Sequence, residues 1–319
     1  MSGILAFDTS NYTTSAAYLD TETGRGANVS RLLPVSKGAL GLRQSDAVFA
    51  HIKALPEIMD ELCAREEYGK PEIYAASRSP RAVDGSYMPC FMVGVTLARS
   101  MAAAVHAEPY LMSHQQGHIA AAVYSADRME LLEQPFLAWH LSGGTTELLL
   151  VEPDSEKLTR ETILGGTTDI SAGQLIDRAG VMMGLGFPCG KALSQIAESC
   201  KTDKLFKVKV SDSKFSLSGM ENKIRNMLAK GESFENLSNF VLNTVIYAVS
   251  TATKQATEKY PGLPVLCSGG VASNSRFRTV MGQSFDACFA LPELSTDNAM
   301  GIAVLAAIRA LGRIPTWTK

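Results

Sequence analysis

The sequence lacks any C-x-x-C pair. Its six cysteines (Cys63, Cys90, Cys189, Cys200, Cys267 and Cys288) are scattered, which excludes a zinc ribbon or a dithiol redox motif. It also lacks a basic excess: 30 Lys and Arg stand against 32 Asp and Glu, a net charge of −2, so there is no global signature of a nucleic-acid binder. An RNA partner would have to meet a local patch, for which Lys201, Lys204, Lys207, Lys209, Lys214, Lys223, Arg225 and Lys230 are the candidates. A solvated surface explains that run equally well. No charged-then-apolar leader opens the chain, which starts in "MSGILAFDTS", and no uncharged run is long enough to cross a bilayer. The expectation is a cytoplasmic, reduced protein with no membrane partner. With 46% hydrophobic and 19% charged residues over 319 positions, the chain has material for a sizeable core. It is long enough for two domains, or for one with a large insertion.

Strand-like and helix-like segments alternate, which predicts an α/β protein. "GILAFDTSNYTTSAAYLD" reads as strand, turn, strand. Residues 45–66 read as a helix with Val48, Ile52, Leu55, Ile58, Met59 and Leu62 on its apolar face. "PEIYAASRSP" reads as a strand, and "FMVGVTLARSMAAAVHAEP" as a helix so apolar all round that it should be buried. Ser113 is placed to cap a following helix and Asp169 to cap another, which Gly184, Gly186 and Pro188 would stop. Residues 190–260 read as largely helical. "PVLCSGGVASNSRFRTVM" reads as strand, glycine turn and helix, and "STDNAMGIAVLAAIRALG" as a last apolar helix.

One hairpin occurs twice. Residues 4–20 align without a gap on residues 136–152. Leu5 falls on Leu137, Ala6 on Ala138, Phe7 on Trp139, Ser10 on Ser142, Thr13 on Thr145 and Thr14 on Thr146, while Asp8 falls on His140. Internal repetition decides architecture. Small and hydroxyl residues at such a bend suit a phosphate clamp, because the backbone can approach an anion closely and successive N–H groups can cradle it. Two clamps of this kind describe the ASKHA (actin-like ATPase) fold: two ribonuclease H-like domains around a central nucleotide and metal cleft. Asp8 and Ser10 then belong to the first clamp and Ser142 to the second. Gly269 and Gly270 in "CSGGVASNS" form an adenosine-side turn. The expected division is 1–109 plus 295–319 as one subdomain, and 110–294 as the other, with a helical insertion at about 190–260.

The histidines supply a second pattern. "HQQGH" puts His114 and His118 four residues apart on one helix face, near enough to share an ion, in a chain with only five histidines. Two helix-surface histidines would be the plainer account. Context speaks against it: His140 sits in an apolar strand on the same face as Ser142, and Asp297 lies at the start of an apolar helix, where a carboxylate needs a partner. Histidines with a carboxylate suit iron or zinc. A zinc protease would require a glutamate directly after the first histidine, and that position is Gln115, which cannot act as a base.

Nine segments in order, "AFDTSNYTTSAA", "AHIKALPEIMDEL", "VGVTLARSMA", "SHQQGHIAAA", "HLSGGTTEL", "SAGQLIDRAGVMMGLGFPCG", "FSLSGM", "CSGGVASNSRFR" and "STDNAMGIA", resemble the TsaD/Kae-type family, once called glycoproteases. The resemblance spans essentially the whole chain. It implies transfer of threonylcarbamoyl from threonylcarbamoyl-AMP to N6 of an adenosine in ANN-decoding tRNA, with tRNA and subunits of a modification complex as partners. It makes His114, His118 and Asp297 ligands of one Fe(2+) or Zn(2+), and His140 an additional ligand. It also makes Leu141, Ser142, Gly143 and Gly144 the loop at the phosphate or acyl group. Asp177 would hold the ribose, with Gly190 and Asn274 as further contacts of an adenine nucleotide (ATP or threonylcarbamoyl-AMP). The chain departs from the family at Asn11-Tyr12-Thr13, around "VDGSYMPCF", and at Thr145, Gln174 and Glu221. Those departures keep two other functions open for a divergent paralogue. One is an ASKHA-fold carbamoyl- or acyltransferase, or ATPase, with another acceptor; the other is a non-catalytic nucleotide-binding partner subunit. A sugar kinase is set aside because its catalytic Asp and hexose loops are not found.

Overall fold

A computed structural model describes residues 3–10, 12–34, 42–199, 202 and 204–317. Asn11, Cys200 and Lys201, singled out above, lie outside the described residues. Two compact units emerge. The first comprises Met1–Gln134, Glu152–Arg160 and Glu293–Lys319; the second comprises Pro135–Val151 and Glu161–Pro292.

In the first unit, β1 (Gly3–Ser10) is buried along its whole length, as befits a central strand with an apolar run and cover on both faces. It pairs antiparallel with β2 (Thr13–Asp20) and parallel with β4 (Pro71–Ser79). Adding β3 (Gly26–Leu32) and β5 (Tyr110–Ser113) gives the order β3-β2-β1-β4-β5. Leu5, Phe7, Ala16 and Tyr18 from the sheet pack with Leu55, Ile58, Leu62, Val95 and Ala98 from α1 (Gln44–Cys63) and α2 (Phe91–Ala104).

Both helices correct the sequence reading. The covered stripe of α1 runs through Ala47, His51, Leu55, Ile58 and Leu62, while Ile52 is 54% exposed. The apolar pattern there admits two overlapping faces, and the sheet selects the one that carries a histidine. Only Phe91, Gly94, Val95, Ala98 and Ala102 of α2 are buried, so small residues all round a helix do not by themselves cover it. In the last helix, α9 (Met300–Leu311), every residue from Met300 to Ile308 is buried.

In the second unit, β6 (Phe136–Leu141) pairs antiparallel with β7 (Thr146–Asp154) and parallel with β10 (Val265–Ser268). With β8 (Leu158–Thr167), β9 (Lys214–Phe215) and β11 (Cys288–Phe289), the order is β9-β8-β7-β6-β10-β11. The repeat keeps its register. Phe7 faces Ala16 and Trp139 faces Leu148, while Asp8 faces Ser15 and His140 faces Glu147. Trp139 is fully buried, its Nε1–H donating to Thr253 Oγ1 at 2.8 Å.

Residues 190–260 are less helical than expected. After α4 (Ala172–Met182) and α5 (Gly190–Glu198), an extended stretch leads into β9. It is followed by α6 (Gly219–Ala229) and α7 (Phe234–Lys259), with α8 (Ser275–Phe285) after β10. Alternating burial around Val208 favours an extended chain there over a turn of helix. Asp169 does not cap α4; Ser171 does, in a capping box with Gln174. The Asp169 carboxylate instead accepts from Leu217 N and Ser218 N, just ahead of α6. Among the described residues no helix is long and apolar enough to cross a membrane.

The closest backbone approach is between α3 (His114–Ser125) and α9. A Cβ on Gly301 would fall 1.8 Å from the Gly117 carbonyl oxygen and 2.8 Å from Ala121 N. Backbone cannot yield as a flexible side-chain tip can. Gly301→Ala should therefore cost about 1–3 kcal/mol of unfolding free energy or more, as overpacking does, read from denaturant midpoints. A change below the error of the fit would mean that the helices part without penalty.

Candidate metal centre and nucleotide-binding loops

Three side chains of the first unit converge: one donor atom each from His114, His118 and Asp297 lies within 4.8 Å of the others. The helix start explains the two histidines. Ser113 Oγ accepts from Gln116 N while Gln116 Oε1 accepts from Ser113 N, and this capping box fixes the first turn of α3. Gln116 Nε2–H also donates to the carbonyls of Lys157 and Thr159. His114 and His118 then share one face, with their Nε2 atoms 2.9 Å apart. Asp297, three residues before α9, brings Oδ1 to 3.2 Å from His118 Nε2 and 3.6 Å from His114 Nε2.

The first hairpin supports this cluster from behind. His114 Nδ1–H donates to Asp8 Oδ2 at 2.7 Å, which turns Nε2 toward His118 and Asp297. A carboxylate on the far nitrogen is the usual way to orient a ligand histidine. Asp8 is 1% exposed, and its other oxygen accepts from Ser10 N at 2.9 Å. Ser10 Oγ is buried without a partner. Thr13 Oγ1–H donates to Asp297 Oδ2 at 3.0 Å. Behind it, Thr14 Oγ1 and His51 Nδ1 share a hydrogen bond of 2.7 Å. Burial pushes the His51 imidazole down to about 4, against the pull of Asp8 and the Ser10 backbone, so it is neutral at physiological pH.

Burial also disfavours charge on His114, but the Asp8 and Asp297 carboxylates outweigh it and push the ring up to about 10. Burial would raise Asp297, yet hydrogen bonds from His114 and His118 hold it well below the usual carboxylate range. The arrangement is two imidazole nitrogens and a carboxylate, one ring held by a buried acid, and it can bind a cation such as iron or zinc. His140 is described within its own unit. It belongs to the second unit, where its Nδ1 lies 3.4 Å from Ser268 Oγ.

The other residues named from the sequence form a connected rim in the second unit. Ser142 Oγ accepts from Gly144 N and Thr145 N, closing the turn after Leu141. Gly143 offers its carbonyl to Ser171 Oγ–H at 2.7 Å. A Cβ on Gly269, whose φ is +94°, would fall 2.2 Å from Leu141 O, so the β6 and β10 turns meet backbone to backbone and glycine is required. Gly270 opens the short 3-10 turn that follows. Asp177, one turn along α4, accepts from Cys189 N beside Gly190. Ser194 Oγ–H donates to Gly190 O, and Asn274 Nδ2–H donates to Ser194 Oγ while Asn274 Oδ1 caps α8. Two departures from the family pattern are already engaged: Gln174 in the Ser171 capping box, and Glu221 in an ion pair with Arg178.

The contacts of Thr13 and His51 escaped the sequence reading. Thr13 enters the sequence reading as a repeat position and as a departure from the family pattern, but not as a partner of Asp297, since a hydroxyl's partner 284 residues away leaves no local trace. His51 had a signal: it is a lone histidine inside the helical stripe of α1.

The family model for TsaD, tRNA N6-adenosine threonylcarbamoyltransferase, matches residues 45–304. The enzyme of that name from Streptococcus gordonii is 31% identical over 316 residues, covering 94% of this chain and 90% of that one. Its counterpart from Halalkalibacterium halodurans is 30% identical over 323 residues, covering 96% and 90%. Among solved structures, component A of (R)-2-hydroxyglutaryl-CoA dehydratase from Acidaminococcus fermentans superposes with a TM-score of 0.56 over 98% of this chain and 100% of that one. At 14% identity that likeness shows the fold alone, the ASKHA fold expected from the repeated hairpin.

The charges at the cluster give the metal-free protein a pH signature. His114 is raised above its usual 6.5, so its contribution is complete below pH 6.5 and is lost as pH climbs toward about 10. Asp297 is lowered from 3.8, so its contribution is present above pH 3.8 and is lost on acidification. The thermal midpoint of the metal-free protein should fall between pH 6.5 and about 10, and Asp8→Asn should flatten that fall. Parallel curves for the two proteins would contradict the pairing.

Proposed function

The chain belongs to the TsaD family of tRNA N6-adenosine threonylcarbamoyltransferases, and from that premise we propose that it transfers threonylcarbamoyl from threonylcarbamoyl-AMP to N6 of an adenosine in an ANN-decoding tRNA. The family is one of transferases, not proteases. The observation that carries the reading is the cluster of His114, His118 and Asp297, held by Asp8 and Thr13. We further read this cluster as the seat of one Fe(2+) or Zn(2+), and cytoplasm as the place of work, where tRNA is found.

The donor set fits such an ion. Two imidazoles and a carboxylate leave coordination positions open, and the buried Asp8 behind His114 keeps the ring in the tautomer that offers Nε2 outward. When bound, the metal supplies Lewis-acid polarisation of a carbonyl or carboxylate oxygen. The chain's own residues do the rest. Thr13 fixes the rotamer of Asp297 through its second oxygen. The turn at Ser142–Thr145 is assigned to the phosphate: Gly144 N–H and Thr145 N–H, which donate to Ser142 Oγ, would exchange it for a phosphate oxygen, with Gly269 keeping the two turns in contact. Asp177, Gly190 and Asn274 line the same rim and are assigned to the nucleotide. An acyl adenylate is already activated, so holding the adenine amine against it accounts for much of the rate. His140 is kept as an additional ligand in this proposal.

A second reading is favoured by one observation. Glu221 stands where the family carries a lysine, and it is tied to Arg178. A changed acceptor side would leave metal and nucleotide elements in place while another molecule receives the acyl group.

Given threonylcarbamoyl-AMP and a transcript of an ANN-decoding tRNA, the metal-loaded protein should produce threonylcarbamoyladenosine, read by mass spectrometry of the digested tRNA. Metal bound with no modified nucleoside would favour the second reading. Zinc titrations should show no measurable site in His114→Ala, and affinity about 10–100-fold weaker in Asp8→Asn. Unchanged affinity in both would refute the assigned site.

A further inference from the structure

We propose that the second unit carries an RNA-docking surface formed by Lys207 and Lys209 on the extended stretch before β9, by Lys223 on α6 and by Lys230 at the C-cap of α6. The surface rests on the reading above only for the identity of the RNA. Several arginines elsewhere sit against carboxylates: Arg31 on Glu57, Arg65 on Glu61, Arg128 on Glu130, and Arg160 on Glu152. Between residues 204 and 230 that pattern breaks. Lys204 keeps a partner in Glu232 at 3.6 Å. Lys207, Lys209, Lys214, Arg225 and Lys230 are exposed and have no carboxylate partner among the described residues. The acids of the stretch are Asp212 and Glu221, and Arg178 already neutralises Glu221.

Geometry gathers four of these cations. Val208 is buried, so the two-residue period turns Lys207 and Lys209 outward together. The Lys223 ammonium lies 4.1 Å from the centre of the Phe206 ring, which joins the extended stretch to α6. Lys230, which caps the C-terminus of α6, follows Lys223 by seven residues, about two helical turns. Unpaired lysines around a partly covered aromatic ring suit phosphodiester oxygens, which fix a polynucleotide without reading its sequence. An anionic membrane is disfavoured, because no large hydrophobic side chain between 204 and 230 is exposed to enter it. A chain of net charge −2 that acts on RNA needs such a local surface, and residues 204–230 carry seven Lys and Arg against two acids.

The test is fluorescence anisotropy of labelled tRNA with the full chain, titrated across about 50 to 200 mM salt, where phosphate contacts dominate the response. The variant is Lys207→Gln/Lys209→Gln/Lys223→Gln/Lys230→Gln. The control, Arg31→Gln/Arg65→Gln/Arg128→Gln/Arg160→Gln, makes the same change in net charge. The variant should bind at least about tenfold more weakly, with the slope of log K against log salt reduced by about 3 to 4, while the control stays near wild type. Equal losses in variant and control, or an unchanged slope in the variant, would overturn the surface. So would a wild-type protein that binds phosphatidylserine vesicles and no RNA. Threonylcarbamoylation, measured separately, keeps the two claims apart: lysine-dependent tRNA binding without transfer refutes the transfer reading and leaves the surface standing.

Discussion

The structure of the first unit depends on one close contact, the backbone-to-backbone approach of α3 and α9 at Gly117 and Gly301. It joins segments nearly two hundred positions apart in the chain and sets the spacing between the histidines on α3 and the carboxylate ahead of α9. Glycine is required there because the neighbouring atoms are backbone. A helix as apolar as α9 would be expected anywhere in a core. What makes it functional is that its N-terminal approach carries Asp297 into contact with two imidazoles.

Around that contact the repeated hairpin has acquired two different tasks. Both copies keep the same register. In the first, the side chains flanking the bend are engaged within the unit. Asp8 orients His114, Thr13 holds Asp297, and Thr14 meets a neutral, buried His51. In the second, the bend closes on itself through Ser142 and joins the start of α4 and the β10 turn. Duplication supplied one geometry, and side-chain substitution at equivalent positions changed what it holds: Asp8 meets His114, while the matching His140 meets Ser268.

Much of this was legible in the sequence, because it is written in short-range signals. The repeat announced two matching hairpins, the four-residue histidine spacing announced a shared helix face, and Ser113 announced the start of α3. What was not legible depends on distance or on choosing between equivalent patterns. The α1 stripe could be drawn through Ile52 or through His51, and only packing against the sheet decides. Asp169 looks like a helix cap, but its partners lie almost fifty residues away. The extended stretch before β9 has helix-compatible composition and is held open by α7, where Thr244 Oγ1 accepts from Phe206 N and Gln255 Nε2–H donates to Val210 O. Asp8, read as part of a phosphate clamp, proves to have both oxygens engaged within the first unit.

The measurement that tests the account most directly is anomalous scattering at the zinc edge from crystals grown with the metal. The account predicts a strong peak within bonding distance of His114 Nε2, His118 Nε2 and the Asp297 carboxylate, with Asp8 still behind His114. No peak there, or a peak held by other side chains, would contradict it.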